Sequence, residues 1–374
     1  MQSKKVFYSK GGMSLILNDI TDLFKDQIDN NISKVVINTS SQPNSNPHLG
    51  TLTTLSCAFA LAKRIKQQFN ISVEVEFDEL ENSPYQLKKV GAENYSKSLG
   101  DTFVGNVSVS DIYMEKYIFI FEYLKKITDV NYTVKTYSEF QSNNIIRRSV
   151  IDVYKNYVFF GKLLDPANNT LMLRTKCPLC NCSNRDADLF KFDIVDDSIY
   201  LTSKCLEHGE YSVTISENND TYIDINTQLR DLTKGVLFYE RLKKDNVLTI
   251  MCDGKDWSGE WASRIHYSGM HALGYDTFTN RVFTPLIVDW SGGKYSKSLY
   301  LENDKYSGIE KLFADFNLYY NRFGDDGIYK IYSEVEKWVA DPVKFFRNYS
   351  IEYFVQLLEV QNEQKRKIRC YRRY

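Results

Sequence analysis

The stretch Lys34–Phe77, KVVINTSSQPNSNPHLGTLTTLSCAFALAKRIKQQFNISVEVEF, decides the fold class of this chain. It begins with an apolar run of strand length, 34–39, and ends with the alternating run 73–77. Between these runs, apolar residues recur at helical spacing over Gly50–Phe69. Strand, helix and strand at this spacing form a βαβ unit, so the sequence predicts an α/β fold built on a parallel sheet.

The overall composition is typical of a folded globular protein. Of the 374 residues, 43% are hydrophobic and 25% are charged, and the formal net charge of −1 excludes a chain-wide basic coat for nucleic acid. The 27 Tyr and 22 Phe exclude an intrinsically disordered chain. No run of 18 apolar residues and no apolar leader are present, so we expect a cytoplasmic protein without a membrane partner. Seven Cys are too few for a disulfide scaffold at this length, which favours reduced thiols.

Hydrophobic periodicity predicts further elements on both sides of this unit. The predicted helices are Leu15–Ile28, Ser110–Ile127, Ser138–Phe159, Asp224–Lys243 and Trp257–Leu273, followed by short helices near 312–316, 327–339 and 351–360. The predicted strands are 132–136, 247–252 and 283–288, and 171–213 is expected to be rich in short strands.

The first motif with chemical potential is Pro47-His48-Leu49-Gly50-Thr51, which follows the first strand and opens the first helix. A helix N-terminus presents free N–H groups and a positive dipole end, so this position favours phosphate. His48 could donate a hydrogen bond to a phosphate oxygen, and Gly50 would allow a flat ring to lie against the backbone. The alternative is that His48 only flanks the helix cap and binds nothing.

The second motif, Gly292-Gly293-Lys294-Tyr295-Ser296-Lys297-Ser298, follows the last predicted strand. Two Gly and two Lys form a mobile cationic loop, which suits the stabilisation of a leaving group such as pyrophosphate. The alternative is a solvated surface loop.

The third motif is Asp253-Gly254-Lys255-Asp256-Trp257, at the end of the strand 247–252. A Gly beside a carboxylate at the carboxyl end of a parallel strand is a position where nucleotides bind. Asp256 could accept hydrogen bonds from ribose hydroxyls. Alternatively, Asp256 caps the helix that follows.

The three motifs, in this order, resemble the HIGH and KMSKS signatures of class I aminoacyl-tRNA synthetases. The Pro-His-Leu-Gly-Thr stretch, the Cys/His insert and Gly-Lys-Asp at 254–256 resemble class I lysyl-tRNA synthetase most. In that family the second His of HIGH is usually another polar residue, which fits Thr51. The helix around Asn226 and Arg230 is also similar to the family's.

The resemblance implies a Rossmann-like, HIGH-superfamily parallel sheet that binds ATP with Mg²⁺ and forms an aminoacyl-adenylate. It implies four catalytic residues, which are His48, Thr51, Lys294 and Lys297. It places ATP against Pro47, Gly50, Gly254, Asp256, Ser296 and Ser298. It places the amino acid, lysine or a lysine-like one, among Asn38, Thr39, Ser40, Asp78, Asn226, Arg230 and Tyr267.

The insert carries a Cys/His pattern with zinc-ligand spacing. Cys177 and Cys180 form C-x₂-C, and Cys205 and His208 form C-x₂-H. Four protein ligands leave no open position for water, so we expect a structural Zn²⁺ rather than a catalytic one. Cys182 lies close enough in sequence to replace one ligand, and free reduced thiols are the alternative.

Four regions are expected: 1–170 and 221–300 as the two halves of the catalytic domain, 171–220 as an inserted zinc ribbon, and 301–374 as a small helical appendage with a basic tail. Only 76 residues follow Ser298, so we expect no counterpart of the family's large anticodon-binding region there. We therefore expect ATP-dependent activation of an amino acid that passes to a non-tRNA acceptor, such as a small molecule, a carrier protein or a peptide.

Three other functions stay open. One is a minimal synthetase that charges tRNA through its acceptor stem, and another is a nucleotidylyltransferase. The third is an inactive paralogue that serves as a binding module, although the intact His48, Asp256 and Lys294 argue against decay.

Overall fold

A computed structural model describes residues 12–186, 191–295 and 309–359. In chain order its strands are β1 (Lys34–Ser41), β2 (Ser72–Glu79), β3 (Pro84–Val90), β4 (Glu93–Ser98), β5 (Phe103–Val104), β6 (Val107–Ser108), β7 (Asn131–Thr136), β8 (Leu173–Arg174), β9 (Ser183–Asn184), β10 (Lys191–Val195), β11 (Ser198–Cys205), β12 (Gly209–Ser216), β13 (Asp224–Ile225), β14 (Val247–Gly254), β15 (Asn280–Thr284), β16 (Ile287–Val288) and β17 (Tyr349–Ser350).

The helices alternate with these strands. They are α1 (Leu49–Phe69), α2 (Val109–Thr128), α3 (Tyr137–Gln141), α4 (Asn144–Lys155), α5 (Tyr157–Leu164), α6 (Thr227–Asp245), α7 (Glu260–Ala262), α8 (Met270–Ala272), α9 (Ile309–Ala314), α10 (Phe316–Ala340), α11 (Pro342–Phe345) and α12 (351–359). A π-helical stretch, Ser263–Gly269, joins α7 to α8, and 3₁₀ turns cover Gly12–Leu15, Ile20–Leu23 and Lys255–Trp257.

A five-stranded sheet in the order β15-β14-β1-β2-β7 forms the centre of the molecule, and every pair in it is parallel. The βαβ prediction is therefore confirmed, with α1 as the crossover between the neighbouring strands β1 and β2. The carboxyl ends of β1 and β14 lie side by side, because Lys34–Asn38 pairs in register with Val247–Met251. This edge of the sheet collects the loops that carry the three motifs.

One face of the sheet is apolar. Side chains of a strand alternate between faces, so Val35 and Ile37 of β1 point the same way, and Val75 and Phe77 of β2 join them. They share one core with Ile250 of β14 and with the buried side of α1. Burial of a side chain such as Phe77 contributes roughly 1.5–3 kcal/mol, and this core supplies much of the fold's stability.

The other face carries polar and charged side chains beneath α6. Asn38 donates to Glu76 at 3.2 Å and to Asp78 at 3.1 Å. Lys234 of α6 lies 2.5 Å from Asp78, and Arg241 of α6 donates to Glu76 at 2.9 Å. Helix α6 also buries an apolar patch against Met251 of β14, which alternates with Ile250 and so faces away from α1.

The C-terminal helices share the core of the sheet's apolar face. Helix α10 is 25 residues long, with a break at Gly324, whose φ is 57°. This is longer than the short helices predicted, because apolar residues on both sides of the break pack into the same core as α1. Lys63 of α1 and Glu336 of α10 add an ion pair at 2.7 Å.

The insert is β-rich, as predicted, and it is anchored to the rest of the chain. Strands β10, β11 and β12 form an antiparallel sheet, and β9 pairs with β4 of the hairpin β3–β4. Ile199, Leu201 and Ile215 of this sheet enter one core with residues of α4, α5 and α6. That shared core fixes the insert against α4, α5 and α6. The β3–β4 hairpin itself was not predicted.

Three helix predictions need correction. The stretch Leu15–Ile28 contains only 3₁₀ turns. The stretch Ser138–Phe159 is divided among α3, α4 and α5, because Asn143 caps α4 and Asn156 separates α4 from α5. The stretch Trp257–Leu273 begins as a 3₁₀ turn and widens into a π-helix. Across 12–186, 191–295 and 309–359, no helix has the length and apolar character needed to span a bilayer.

Candidate active site

A cavity of about 500 Å³ opens at the carboxyl edge of the sheet. The end of β1, the start of α1, the first turn of α6, the end of β14 and the stretch that leads to Lys294 surround it. Its wall includes Thr39, Ser40, Ser41, His48, Gly50, Thr51, Thr54, Thr227, Arg230, Asp231, Asp253, Gly254, Lys255, Asp256, Trp257, Arg281, Lys294 and Tyr295. All three motifs therefore meet in one place.

His48 caps the N-terminus of α1. Its Nδ1 accepts a hydrogen bond from the backbone N–H of Gly50 at 3.0 Å. In a neutral imidazole with Nδ1 as acceptor, the proton sits on Nε2, which makes Nε2 a donor. The cap therefore selects the tautomer that can donate to a phosphate oxygen, so the capping role and a binding role are compatible.

The cap requires glycine at position 50. A Cβ at this position would lie 2.8 Å from Cε1 and 3.1 Å from Nδ1 of His48. A larger residue would push the imidazole out of its capping position. The absence of a side chain thus allows the ring to fold back over the first turn of α1.

Asp256 and Lys294, from two different motifs, form an ion pair. Lys294 Nζ lies 2.6 Å from Asp256 Oδ2, and both side chains line the cavity. Gly254 makes room for this carboxylate, since a Cβ there would lie 2.5 Å from Asp256 Oδ1. Asp256 lies inside the 3₁₀ turn and Gly259 precedes α7, so the interpretation of Asp256 as a helix cap is wrong.

A buried network of charges, which the sequence motifs did not reveal, forms the floor of the cavity. Arg281 of β15 donates to Asp253 Oδ2 and to His266 Nε2. His266 is 1% exposed and its Nδ1 lies 3.2 Å from Thr279 Oγ1, so it is a satisfied core histidine. Burial and the adjacent Arg281 lower the pKa of His266 to about 3, and the ring accepts from Arg281 as a neutral base.

Asp231 joins this network from α6. Its Oδ2 accepts from Trp261 Nε1 at 3.3 Å and lies 3.9 Å from Arg281 Nη2. Burial raises the pKa of Asp231, but Arg230 and Arg281 outweigh it and leave the pKa below its ordinary value. Asp231 is therefore an ionised carboxylate on the cavity wall. Its place next to Arg230 in sequence was the signal that could have found it.

The predicted amino-acid pocket divides into two groups. Thr39, Ser40 and Arg230 line the cavity. Asn38 and Asp78 lie beneath α6 in the polar layer described above, off the cavity wall. The other two predicted residues are also off the wall.

Asn226 occupies the N-cap position of α6 without forming a side-chain cap. Tyr267 is 51% exposed and stacks on Phe278, with ring centroids 4.5 Å apart. Of the predicted ATP-binding residues, Pro47 immediately precedes the cavity-lining His48. Ser296, Lys297 and Ser298 lie outside the described residues.

The four predicted metal ligands converge. Ligand atoms of Cys177, Cys180, Cys205 and His208 all lie within 4.8 Å of one another. Cys180 Sγ is 3.5 Å from Cys205 Sγ, and His208 Nδ1 is 3.6 Å from Cys177 Sγ and 3.5 Å from Cys205 Sγ. A tetrahedral zinc site has edges of roughly 3.5–3.8 Å, so this Cys₃His cluster fits Zn²⁺.

The backbone shapes both halves of the cluster. Asn181 and Gly209 adopt left-handed conformations with φ of 60° and 75°, which lets each knuckle turn sharply. Burial raises the pKa of the Cys177 thiol, but backbone N–H groups of Leu179 and Cys180 outweigh burial and lower it to about 7. Cys182 is not a member of the cluster.

No family model matches the chain, and no curated protein matches it by sequence. Among solved structures, glutamate-tRNA synthetase from Elizabethkingia anophelis matches with 13% identity and a TM-score of 0.39, over 87% of this chain and 70% of the other. Methionyl-tRNA synthetase from Mycobacterium tuberculosis, bound by methionyl-adenylate, matches with 12% identity and a TM-score of 0.42, over 86% and 67%.

Both similar structures are aminoacyl-tRNA synthetases.

Proposed function

We propose that this protein activates an amino acid with ATP, forming an aminoacyl-adenylate and releasing pyrophosphate. The observation that carries the proposal is the meeting of His48, Asp256 and Lys294 on one cavity at the carboxyl edge of a parallel sheet. Each comes from a different segment of the chain, and each has a chemistry suited to one part of ATP.

The reaction needs little covalent help from the protein. A carboxylate oxygen of the amino acid attacks the α-phosphorus of ATP, the bond from that phosphorus to the bridging oxygen breaks, and pyrophosphate leaves with the electron pair. The carboxylate is already ionised at neutral pH, so no general base is required. Catalysis then consists of alignment and of positive charge placed where negative charge develops.

The cavity supplies both requirements. The N-terminus of α1 and Nε2 of His48 present donors to the phosphates. Asp256 would accept from the ribose hydroxyls, and Lys294 would stabilise the departing pyrophosphate. Mg²⁺ would accompany ATP and neutralise phosphate charge. Asp253 and Asp256, on either side of Gly254 in the proposed nucleotide site, are the cavity carboxylates that would hold it.

The Lys294–Asp256 ion pair gives Lys294 two alternative partners. Lys294 is 53% exposed in its side chain, so the pair is weak and its separation costs little. When a ribose occupies Asp256, Lys294 becomes available to the phosphates. This exchange would bring the lysine to the leaving group only after the nucleotide is in place.

For the metal, the fit of the Cys₃His cluster supports a structural Zn²⁺ that stabilises the insert. Cys177, Cys180, Cys205 and His208 would hold it and leave no position open for substrate. The purified protein should contain about one Zn²⁺ per chain, and Cys180→Ser should lower this content. Cys180 does not line the active-site cavity, so this substitution leaves the cavity residues unchanged.

For the acceptor of the aminoacyl group, we propose the same order of preference that the sequence favours. A non-tRNA acceptor comes first, and tRNA charged through its acceptor stem is the alternative. A lysine-like amino acid follows only from the resemblance to lysyl-tRNA synthetase.

The test is amino-acid-dependent exchange of labelled pyrophosphate into ATP, with each of the twenty standard amino acids and common non-standard ones. The wild-type protein should exchange with at least one of them. Lys294→Ala and His48→Ala should each reduce the exchange by at least about 100-fold, since each removes a charge or donor that acts on the transition state.

A matched control is Lys244→Ala, which removes an exposed lysine of α6 far along the helix from the cavity and should leave exchange unchanged. The assay is repeated with bulk tRNA. Signal only with tRNA would favour the minimal synthetase. No exchange under any condition, in a protein that binds ATP, would overturn the proposal in favour of a nucleotidylyltransferase or a binding paralogue.

A further inference from the structure

Arg230 lacks the partners that its burial requires. It is 8% exposed, it lies on the cavity wall, and its guanidinium carries five N–H donors. Within the described part of the chain, its side chain donates no hydrogen bond, and its closest ion contact is Asp231 Oδ1 at 3.6 Å. Its Nε is buried without any partner. A buried cation in this condition is unfavourable unless a ligand supplies the acceptor.

Other arginines with largely buried side chains each donate at least one side-chain hydrogen bond to the protein, although Nε of Arg174 and Nε of Arg281 also lack a partner. Arg147 donates to the backbone carbonyls of Ser216 and Thr221, as well as to a side chain. Arg174 and Arg185 both donate to Asp224. Arg281 donates to two groups on the floor of the cavity. Arg230 is different because it faces open space rather than protein.

The unpaired N–H donors of Arg230 indicate that its missing partner is negatively charged. The carboxylates of Asp231 and Asp253 on the cavity wall already accept hydrogen bonds from Trp261 and Arg281. A substrate ammonium group would have to compete with these protein partners for a carboxylate. A substrate carboxylate would meet Arg230, whose planar fork matches its two oxygens.

The position of Arg230 indicates which carboxylate it would bind. His48 and the phosphate-binding end of α1 belong to the apolar side of the sheet, whereas α6 packs on the opposite side. The carboxylate that attacks ATP must point toward α1. The remainder of the amino acid then extends toward α6, where Arg230 and Thr227 line the wall.

We infer that the amino acid activated by this protein has an acidic side chain, whose carboxylate binds Arg230 of α6. This inference rests on the proposed function and names its substrate class. It replaces the lysine-like substrate, because a lysine ammonium in this position would face a buried guanidinium.

The first experiment compares pyrophosphate exchange with glutamate, aspartate and 2-aminoadipate against glutamine, norleucine, ornithine and lysine. Glutamate and glutamine form the sharpest pair, since they differ only in the group that would meet Arg230. At least one acidic amino acid should exceed its neutral counterpart by about 30-fold or more in kcat/KM. Arg230→Gln should remove that preference, and Arg148→Gln, on the exterior of α4, should preserve it.

A second experiment measures binding without catalysis. Thermal unfolding of the full chain is followed with glutamate, with glutarate and with lysine. The acidic ligands should raise the melting temperature of the wild type and of Arg148→Gln but not of Arg230→Gln. The melting temperatures without ligand show whether each variant is folded.

The outcomes separate the two proposals. Exchange with a basic or neutral amino acid that Arg230→Gln leaves unchanged would overturn the acidic substrate while amino-acid activation stands. No exchange with any amino acid would remove the activation, and the thermal shift then decides: stabilisation by glutamate that depends on Arg230 supports the carboxylate site, and its absence overturns that site too.

Discussion

The two faces of the central sheet are stabilised in different ways. Beneath α1, Ile37, Phe77 and Ile250 pack into a continuous apolar core. Beneath α6, the same strands present Asn38, Glu76 and Asp78, which are buried but paired with one another and with basic residues of α6. The apolar face is a scaffold, whereas the helix that covers the polar face, α6, also contributes charged residues to the cavity.

The two faces differ in how strictly each requires particular residues. An apolar core tolerates exchange of one hydrophobic residue for another of similar volume. A layer of buried ion pairs contributes little net stability but requires each partner in its place. Lys234 of that layer also helps to lower the pKa of Asp231 on the cavity wall, so the electrostatics of the cavity are coupled to the polar half of the sheet.

Breaking the polar face should have the largest effect. Lys234 is 2% exposed, and Lys234→Met would leave Asp78 buried without its cation. We expect a loss of about 3–5 kcal/mol in the free energy of unfolding, measured by urea denaturation. Removing both charges, in Lys234→Met with Asp78→Leu, should recover most of this loss. If the double variant is as unstable as the single one, the pair is not the source of the cost.

Breaking the apolar face should cost somewhat less and should not be recoverable by a second substitution. Ile250→Ala deletes buried methylene groups of β14 and leaves a cavity against α1. The expected loss is about 3 kcal/mol in the same urea experiment. Ile250→Val, which keeps most of the volume, is the matched control and should cost about 1 kcal/mol. Equal losses in the two variants would contradict cavity formation as the cause.

The charged floor should make stability depend on pH. Burial and Arg281 lower the pKa of His266 to about 3 in the native state. Below pH 6.5, this histidine is therefore protonated in the unfolded chain but neutral in the native chain. Stability should therefore fall as pH drops from 6.5 toward 3, by about 1.4 kcal/mol per pH unit from this group. Urea denaturation between pH 6.5 and 5 avoids most carboxylate titration.

In that range His266→Gln should flatten the slope, since an amide oxygen can accept from Arg281 without titrating. His271→Gln, at an exposed position just beyond the π-helix, should keep the wild-type slope. An unchanged slope in His266→Gln would assign the pH dependence to other groups.

The exposed ion pair at the cavity mouth should have the smallest effect on stability. Lys294→Gln removes a surface partner of Asp256, and the free energy of unfolding should change by less than about 1 kcal/mol. The same variant should lose pyrophosphate exchange. A large loss of stability would show that Lys294 is structural, and its effect on activity would then carry no information about catalysis.

Sequence reasoning succeeded where chemistry is local. Periodicity predicted β1, α1 and β2 and hence the parallel sheet, because alternation and helical spacing depend only on neighbouring residues. The Cys/His spacing predicted the cluster for the same reason, since each knuckle is a turn of a few residues. His48 and Gly50 were found together because the cap that joins them spans two positions.

The failures concern contacts between distant segments. Asn38 and Asp78 were assigned to the amino-acid pocket, yet Lys234 and Arg241 hold their layer beneath α6. Tyr267 was assigned there too, but the π-helical stretch turns it outward. Nothing local to these residues reveals which partner the fold brings to them.

The sequence by itself determined the fold class, the Cys/His cluster and the three motifs, since each depends on short-range spacing. Tertiary structure alone decided that Arg281 lines the cavity and donates to His266 behind it, that Asp256 pairs with Lys294, and that Arg230 faces open space. The reason is physical: whether a charge is paired or waiting depends on which groups surround it, and those groups come from strands and helices far apart in the chain.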